Sequence, residues 1–128
     1  MREELFHTLA QDDPLTAARR LIGCCLLVGP CRAEIVEVEA YTGAEDPGSH
    51  AHRGPTPRNQ VMFGPPGRLY MYFTYGNHWM ANVVCRPEGA PGALLIRACR
   101  PLEGHQAMRA NRPRANSERD LLSGPGKL

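Results

Sequence analysis

The sequence predicts a single domain of the mixed α/β (α+β) class, spanning residues 1–128. Its length suits one domain, which at this size buries about two thirds of the surface of the unfolded chain. Several short runs have the composition and alternation of β-strands, and turn-forming residues join some of them directly, as in antiparallel hairpins. The predicted strands are 24–28, 34–41, 69–75, 78–85 and 93–99.

The stretch 34–41 organises the rest of the chain. Its residues alternate in the way that is typical of a half-buried strand. A loop rich in turn-forming residues follows it and carries His50 and His52. Carboxylates, an aromatic ring and imidazoles near one strand end predict a site, whereas the alternative is an edge strand with a solvated acidic face. One predicted face carries Val36, Val38 and Ala40, and the other carries Ile35, Glu37, Glu39 and Tyr41.

The N-terminal part of the chain predicts one helix and one strand. Asp13 suits the N-cap of a helix that runs to Leu21. Pro14 suits its first turn, where the missing N–H would have had no helical partner. The strand 24–28 is apolar throughout, which predicts that it is buried.

The C-terminal part of the chain predicts further helices. Residues 101–112 read as a helix that is interrupted at Gly104, and residues 112–116 read as a basic linker. Ser117 and Asp120 have the spacing of a capping box, which predicts the start of a short helix there.

Two segments between residues 53 and 77 are rich in loop-forming residues. The first, 53–67, is long for a segment without regular structure in a small domain, which favours a functional role. The second is Gly76-Asn77, a two-residue loop whose residues both tolerate φ > 0 and therefore predict a hairpin. Tyr75 then lies at the hairpin tip, as an ordinary turn residue or as a wedge that pushes between stacked bases.

Two polar side chains interrupt apolar strands. Asn82 shares a predicted face with Met80 and Val84, where an amide is unfavourable unless it forms a hydrogen bond. Arg97 is the one charged residue of the strand 93–99, so it needs a carboxylate partner, and Glu39 or Glu37 on a neighbouring strand is the natural candidate. Structural ion pairs are commoner than catalytic ones, so this pairing leaves the function open.

Charge is distributed unevenly along the chain. Residues 1–48 carry a net charge of −5, residues 49–85 carry +3 with no acidic residue, and residues 86–128 carry +4. A segment without carboxylates permits contact with a polyanion, although ordinary solvated arginines explain the pattern equally well.

The composition favours a cytosolic protein. No apolar run is long enough to span a membrane, and the N-terminus lacks the apolar segment of a secretory signal. Five cysteines, without a Cys-x-x-Cys pair, predict reduced thiols rather than disulfides or a zinc site. We therefore expect a cytoplasmic protein, associated with the nucleoid if it is bacterial.

Taken together, these residues resemble the alkyladenine (3-methyladenine) DNA glycosylase family. No single motif is specific, but ten occur in the family's order over nearly the whole chain. They are 35–41, His50, 56–59, 62–63, 69–72, 75–76, Asn82, 94–98, 101–104 and 123–128. The resemblance implies a compact fold on a curved antiparallel sheet, with a protruding hairpin and flanking helices. It also implies removal of alkylated or deaminated purines from duplex DNA, as in base-excision repair.

The resemblance assigns the catalytic and base-binding roles. It implies that Glu39 is the general base that activates water and that Arg97 holds this water and the carboxylate. The flipped purine would stack between one aromatic ring on one face and two rings on the other. These stacking residues are Tyr41, His50 and Tyr72.

The resemblance also assigns contacts with the rest of the DNA. Asn82 would clash with the 2-amino group of guanine, and Tyr75 would fill the gap left by the flipped nucleotide. Arg58, Asn59 and Lys127 would contact the DNA backbone. The implied partner is double-stranded DNA with damaged purines, bound by a monomer, and neither a metal nor a cofactor is implied.

The family continues beyond the motif at 123–128, so the resemblance implies a domain that is truncated at its C-terminus. Two alternatives to an active glycosylase therefore stay open. One is a damaged-DNA-binding remnant without turnover. The other is a carbohydrate or nucleoside hydrolase, in which Glu37 and Glu39, about 7 Å apart on one strand face, act as an inverting pair.

Overall fold

The computed structural model describes residues 2–10, 13–74 and 78–128 and contains a five-stranded antiparallel sheet. The strand order is β1-β2-β5-β4-β3. This architecture confirms the predicted α+β class. The strands are β1 (Cys25–Val28), β2 (Cys31–Tyr41), β3 (Leu69–Thr74), β4 (His78–Val84) and β5 (Ala93–Glu103). The α-helices are α1 (Arg2–Leu9), α2 (Pro14–Leu21), α3 (His105–Asn111) and α4 (Arg119–Leu122), and 3₁₀ turns cover Gly43–Glu45, Gln60–Phe63 and Pro125–Lys127.

The helices cover one face of the sheet and form the main core there. Leu94 and Ile96 of the central strand β5 are almost completely buried against this layer. The start of α2 is as predicted, because the Asp13 carboxylate accepts a hydrogen bond from the backbone N–H of Leu15 at 3.1 Å. No helix among the described residues is long and apolar enough to cross a membrane.

Strand β2 does not alternate without interruption, and this corrects one sequence prediction. Its register against β5 shifts between Ile35 and Glu37 and again between Glu37 and Val38. Such a bulge turns the residues beyond it to the opposite face. Ile35 therefore lies in the core with Val38, whereas Val36 is 46% exposed. Beyond the bulge, Glu39 and Tyr41 keep a shared face.

Strand β1 exists but is not buried, so the burial predicted for 24–28 is wrong. Leu27 and Val28 are 65% and 64% exposed. The reason is topological, because β1 is an edge strand that pairs with β2 alone. An apolar run by itself does not distinguish an edge strand from a central one.

The region 101–112 also differs from the prediction of one interrupted helix. Strand β5 continues to Glu103, and α3 starts only at His105. Gly104 separates them with a φ of 81°, and a Cβ atom on it would lie 2.6 Å from the carbonyl oxygen of Pro30. The glycine thus ends the strand, where the sequence pattern suggested a break within a helix.

The short helix α4 forms near its predicted position without the predicted capping box. Its N-cap is Glu118, and no side chain caps its N-terminus. The Asp120 carboxylate instead accepts a hydrogen bond from the backbone N–H of Asn116 at 3.1 Å.

Strands β3 and β4 form an antiparallel ladder from Leu69–Val83 to Thr74–His78. Alternation along the predicted strand 69–75 places Tyr70 and Tyr72 on one face and Leu69, Met71 and Phe73 on the other, and the structure confirms these faces. Tyr70 on the inner face is 2% exposed, whereas the apolar side chains of the outer face are exposed to solvent. These exposed side chains are Leu69, Met71, Phe73 and, on β4, Trp79. The predicted loop at residues 76–77 and the predicted wedge Tyr75 lie outside the described residues.

Candidate active site

The candidate site lies on the sheet face opposite the helices. Asn82 of β4 and Glu39 of β2 are both register partners of Leu95 on the central strand. Residues paired across neighbouring strands share a face, and neighbouring strands lie about 4.8 Å apart. The backbones of Glu39 and Asn82 are therefore roughly 10 Å apart on one surface.

Arg97 forms the ion pair that the sequence predicts. Its Nη1 atom lies 2.7 Å from Oε2 of Glu39, and its Nε lies 3.1 Å from Oε1 of Glu37. These contacts raise the pKa of the Arg97 guanidinium, with the hydrogen bond to Glu37 as the largest cause. Exposed pairs contribute little to stability. The Arg97 and Glu39 side chains are 38% and 43% exposed, so their contact orients the carboxylate rather than holding the fold together.

Tyr41 joins the ion pair to the aromatic part of the site. Its pKa is raised to about 12, first by burial and then by a hydrogen bond to Glu39. A phenol that stays protonated donates to the carboxylate. Glu39 is thus held by a guanidinium on one strand and by a hydroxyl two residues along its own strand.

An aromatic cleft adjoins this group. A water-sized molecule can reach about 30 Å³ inside it, and the surrounding space, which includes open solvent, is about 270 Å³. The four residues predicted to bind a base all line it, while Glu39 and Arg97 lie beside it. The lining residues are Tyr41, Gly48, Ser49, His50, Met62, Tyr70, Tyr72, Asn82 and Ala93.

His50 packs into a cluster with two tyrosines of β3. Its ring centroid lies 4.4 Å from that of Tyr72, and its Nδ1 atom lies 3.0 Å from the hydroxyl of Tyr70. Partial burial, followed by the nearby positive charge of Arg58, lowers the pKa of the His50 imidazole. At neutral pH the cleft therefore presents an uncharged imidazole.

A sequence profile described as methylpurine-DNA glycosylase (MPG) matches residues 8–128, which is nearly the whole chain. The chain belongs to this family. A protein of Burkholderia lata named "Putative 3-methyladenine DNA glycosylase" is 54% identical over 124 residues, which cover 96% of this chain and 58% of that protein.

Two further relatives carry the same name. A protein of the same name from Rhodopseudomonas palustris is 57% identical over 111 residues, covering 87% of this chain and 53% of that protein. One from Rhodococcus jostii is 45% identical over 132 residues, covering 99% of this chain and 59% of that protein. The chain thus spans a little over half the length of the curated relatives it matches.

Asn59, which the sequence resemblance predicts to contact the DNA backbone, is buried in the loop that carries His50. It is 2% exposed, and its amide nitrogen donates to the carbonyl oxygens of His50 at 2.8 Å and Gly54 at 3.1 Å. Its amide oxygen accepts from the backbone N–H of Thr56 at 2.6 Å. These three bonds tie together the loop that carries His50, and the contact of Asn59 with the DNA backbone stays a prediction.

The other two residues predicted to contact DNA have different surroundings. Arg58 is exposed and lies over the ring of Tyr72, with 5.6 Å between its Cζ atom and the ring centroid. Lys127 does not line the cleft. It lies in the last 3₁₀ turn, where its carbonyl oxygen accepts a hydrogen bond from Arg112 at 2.7 Å.

Asn82 and Tyr70 complete the floor of the cleft. Asn82 is 2% exposed, and its amide nitrogen donates to the carbonyl oxygen of Tyr70 at 3.2 Å, as the burial of an amide demands. The sequence places Tyr70 on the same face as Tyr72 but assigns it no role. Its position on the same strand face as Tyr72 is the sequence feature that could have identified Tyr70 as part of the site. Among the described residues, no group of three or more His, Cys, Asp or Glu side chains could hold a metal ion.

Proposed function

We propose that this chain is a monofunctional DNA glycosylase that removes alkylated or deaminated purines from duplex DNA by hydrolysis. The proposed substrates are of the 3-methyladenine, 7-methylguanine and hypoxanthine type. The observation that carries the proposal is the carboxylate of Glu39, held 2.7 Å from Arg97 and placed beside an aromatic cleft on the same sheet face. The proposed reaction needs an aromatic cleft for the base and a carboxylate next to it, and the presence of these two features supports the proposal.

The proposed chemical step uses Glu39 as the general base. Water forms a bond to C1′ of the deoxyribose and gives its proton to the Glu39 carboxylate. The C1′–N9 bond breaks, and its electron pair leaves with the purine. Arg97 orients the carboxylate, and Tyr41 donates its hydrogen bond to the same group. A base in this position typically contributes about 10²–10⁴ in rate.

The proposed binding step flips the damaged nucleotide into the aromatic cleft. Extruding a nucleotide costs a few kcal/mol, and less for a weakly paired damaged base. Stacking against aromatic rings returns about 1–3 kcal/mol per base, with Tyr41 on one face and His50 and Tyr72 on the other. A positively charged alkylated purine gains further from cation–π attraction. Asn82 would meet the 2-amino group of guanine and disfavour that base.

The proposal also covers partners and location. The protein would act as a monomer on double-stranded DNA, with Tyr75 filling the gap in the base stack and Arg58 near the phosphates. Residues 49–85 bring no acidic side chain to this surface, which favours contact with a polyanion. Neither a membrane nor a cofactor takes part, and the compartment would be the cytoplasm, at the nucleoid in a bacterium.

A second candidate is a protein that binds damaged DNA without turnover. The observation that favours it is that neither Glu39 nor Arg97 is among the described residues that line the cleft.

A single-turnover excision assay separates these two candidates. The purified 128-residue chain, in excess, is incubated with a labelled duplex that contains one hypoxanthine, and release of the base is followed with time. We expect release on hypoxanthine and none on an undamaged duplex of the same sequence. Lesion-specific binding without release would support the second candidate, and neither binding nor release would contradict both.

A further inference from the structure

Tyr70 has a buried hydroxyl whose hydrogen bonds can be accounted for one by one. The residue is 2% exposed, and its hydroxyl oxygen lies 3.0 Å from Nδ1 of His50. A hydroxyl has one proton to donate and lone pairs to accept with. Because buried polar groups are almost always paired, the proton of Tyr70 needs an acceptor.

Arg58 carries a positive charge near this hydroxyl, and this charge lowers the pKa of Tyr70 against the larger effect of burial. A guanidinium carries only donors, so it cannot accept the phenol proton, and its charge favours a hydroxyl that turns its oxygen toward it. The phenol proton then points elsewhere, and the acceptor that the described residues place within reach is Nδ1 of His50.

We propose that Tyr70 is a positioning residue that fixes His50 as a neutral imidazole with its proton on Nε2. Nδ1 accepts from the phenol, and Nε2–H on the other side of the ring stays free to donate to a bound nucleotide. The ligand atom would be a lone pair, either on the base or on a phosphate oxygen. This last step rests on the proposed function, whereas the tautomer does not.

The surroundings of His50 favour the neutral ring. A protonated imidazole has donors on both nitrogens and would leave the Tyr70 proton without an acceptor. The groups that face the ring are the hydroxyl-bearing side chains of Tyr41, Tyr70 and Tyr72 and the positive Arg58, and none of the described residues that line the cleft carries a carboxylate. The lowered pKa of His50 agrees with this arrangement.

The backbone of His50 is held in place as well. Asn59 donates to the carbonyl oxygen of His50, so the backbone at this residue cannot swing away from Tyr70 without breaking that bond. His50 itself is exposed, which leaves its outer edge accessible to a ligand. With its backbone and its tautomer both fixed, His50 points its Nε2–H donor in one direction.

The tautomer is measured on the DNA-free chain by two-dimensional NMR that correlates ring protons with ring nitrogens in ¹⁵N-labelled protein at neutral pH. His50→Gln assigns the signals by their loss. We expect a protonated Nε2 and an unprotonated Nδ1 in the wild type. Tyr70→Phe and Arg58→Met should each give a mixture of tautomers. The matched control is Arg68→Met, which removes an exposed arginine of the same acid-free segment and should leave the tautomer unchanged.

A proton on Nδ1 in the wild type would overturn the proposal, as would a tautomer that neither variant changes. If Tyr70→Phe does not fold, the exposed Arg58→Met remains a sufficient test. Because no DNA is present, a failure here is distinct from a failure of base release.

The donor role is tested by binding of His50→Phe, which keeps an aromatic ring, to a duplex with hypoxanthine and to one with a reduced abasic site. Weaker binding of the hypoxanthine duplex alone identifies an acceptor on the base. Weaker binding of both duplexes identifies a phosphate. Unchanged affinity for both would show that Nε2–H donates to neither.

Discussion

Nη1 of Arg97 lies 2.7 Å from Oε2 of Glu39, across the ladder between the central strand β5 and its neighbour β2. The same guanidinium holds Glu37 through Nε at 3.1 Å. The two carboxylates therefore bind the same arginine. They differ mainly in position, because Glu39 also interacts with Tyr41, which lines the aromatic cleft. This difference makes Glu37 a matched control for Glu39.

Replacing Glu39 with Gln should abolish base release while lesion binding persists. The amide keeps the shape of the side chain but cannot accept a proton from water. We expect the single-turnover rate on a hypoxanthine duplex to fall by about 10²–10⁴ or more. Glu37→Gln loses a similar contact to Arg97 but should retain most of the rate. If Glu39→Gln releases the base at nearly the wild-type rate, Glu39 is not the general base, and Glu37 becomes the next candidate.

Replacing Asn82 with Ser should admit undamaged guanine more readily. The shorter side chain removes the predicted clash with the 2-amino group and keeps a polar atom in the cleft. It also gives up the bond to the Tyr70 carbonyl, so a modest loss of stability of about 1 kcal/mol is expected. Guanine release from an undamaged duplex is the measurement, with hypoxanthine release in parallel as the control for an intact site. Guanine rejection that stays at the wild-type level would place the discrimination elsewhere.

Replacing Tyr75 with Ser should weaken lesion binding, because the flipped state loses the group that fills the stack. The loss should be larger on duplex than on single-stranded substrate, where no gap has to be filled. Tyr75→Phe keeps the ring and should bind nearly as the wild type does. Equal losses on both substrates would argue against a wedge.

Replacing Asn59 with Ala should destabilise the fold as well as the site. The change leaves the carbonyl oxygens of His50 and Gly54 and the N–H of Thr56 without their partner. Unpaired buried groups of this kind cost about 1–3 kcal/mol each, and partial access of water to the loop should reduce the total to about 2–4 kcal/mol. Urea unfolding measures the change, and Asn116→Ala, at an exposed position, is the control. A loss below about 0.5 kcal/mol, within the range of ordinary surface substitutions, would show that the loop is held by other contacts.

Sequence patterns predicted those parts of the fold that local chemistry decides. The capped start of α2, the faces of β3 and the pairing of Arg97 with Glu37 and Glu39 follow from residue type and spacing. The bulge in β2 could not be predicted in the same way, since an extra residue between Ile35 and Val38 becomes visible only against its partner strand.

Two further features of the structure could not be predicted for a related reason. The exposure of β1 depends on the strand order, and an apolar run looks the same at an edge and at the centre of a sheet. Asn59 lies next to an exposed arginine in a polar loop, so its burial reflects the way that the loop folds back on itself. Burial of a polar side chain by a loop of this kind is a tertiary property that neighbouring residues do not reveal.

The chain should release the base without cutting the DNA strand. A lyase step needs an uncharged amine that attacks the sugar carbon and forms a Schiff base. Lys127 is the only lysine of the sequence, and it does not line the cleft. Its backbone carbonyl is bonded to Arg112 in the last 3₁₀ turn, on the side where the helices pack. Water activated by Glu39 is then the nucleophile, and an intact abasic product follows.

Borohydride trapping provides the measurement for this prediction. The chain is incubated with a hypoxanthine duplex and borohydride, and a covalent protein–DNA adduct is sought after denaturation. We expect no adduct, with the released base and an uncut strand as products. Lys127→Ala should behave as the wild type does, because it removes an amine that takes no part in the reaction. A trapped adduct that disappears in Lys127→Ala would overturn the water mechanism, and one that persists in this variant would assign the attack to the amine of Met1.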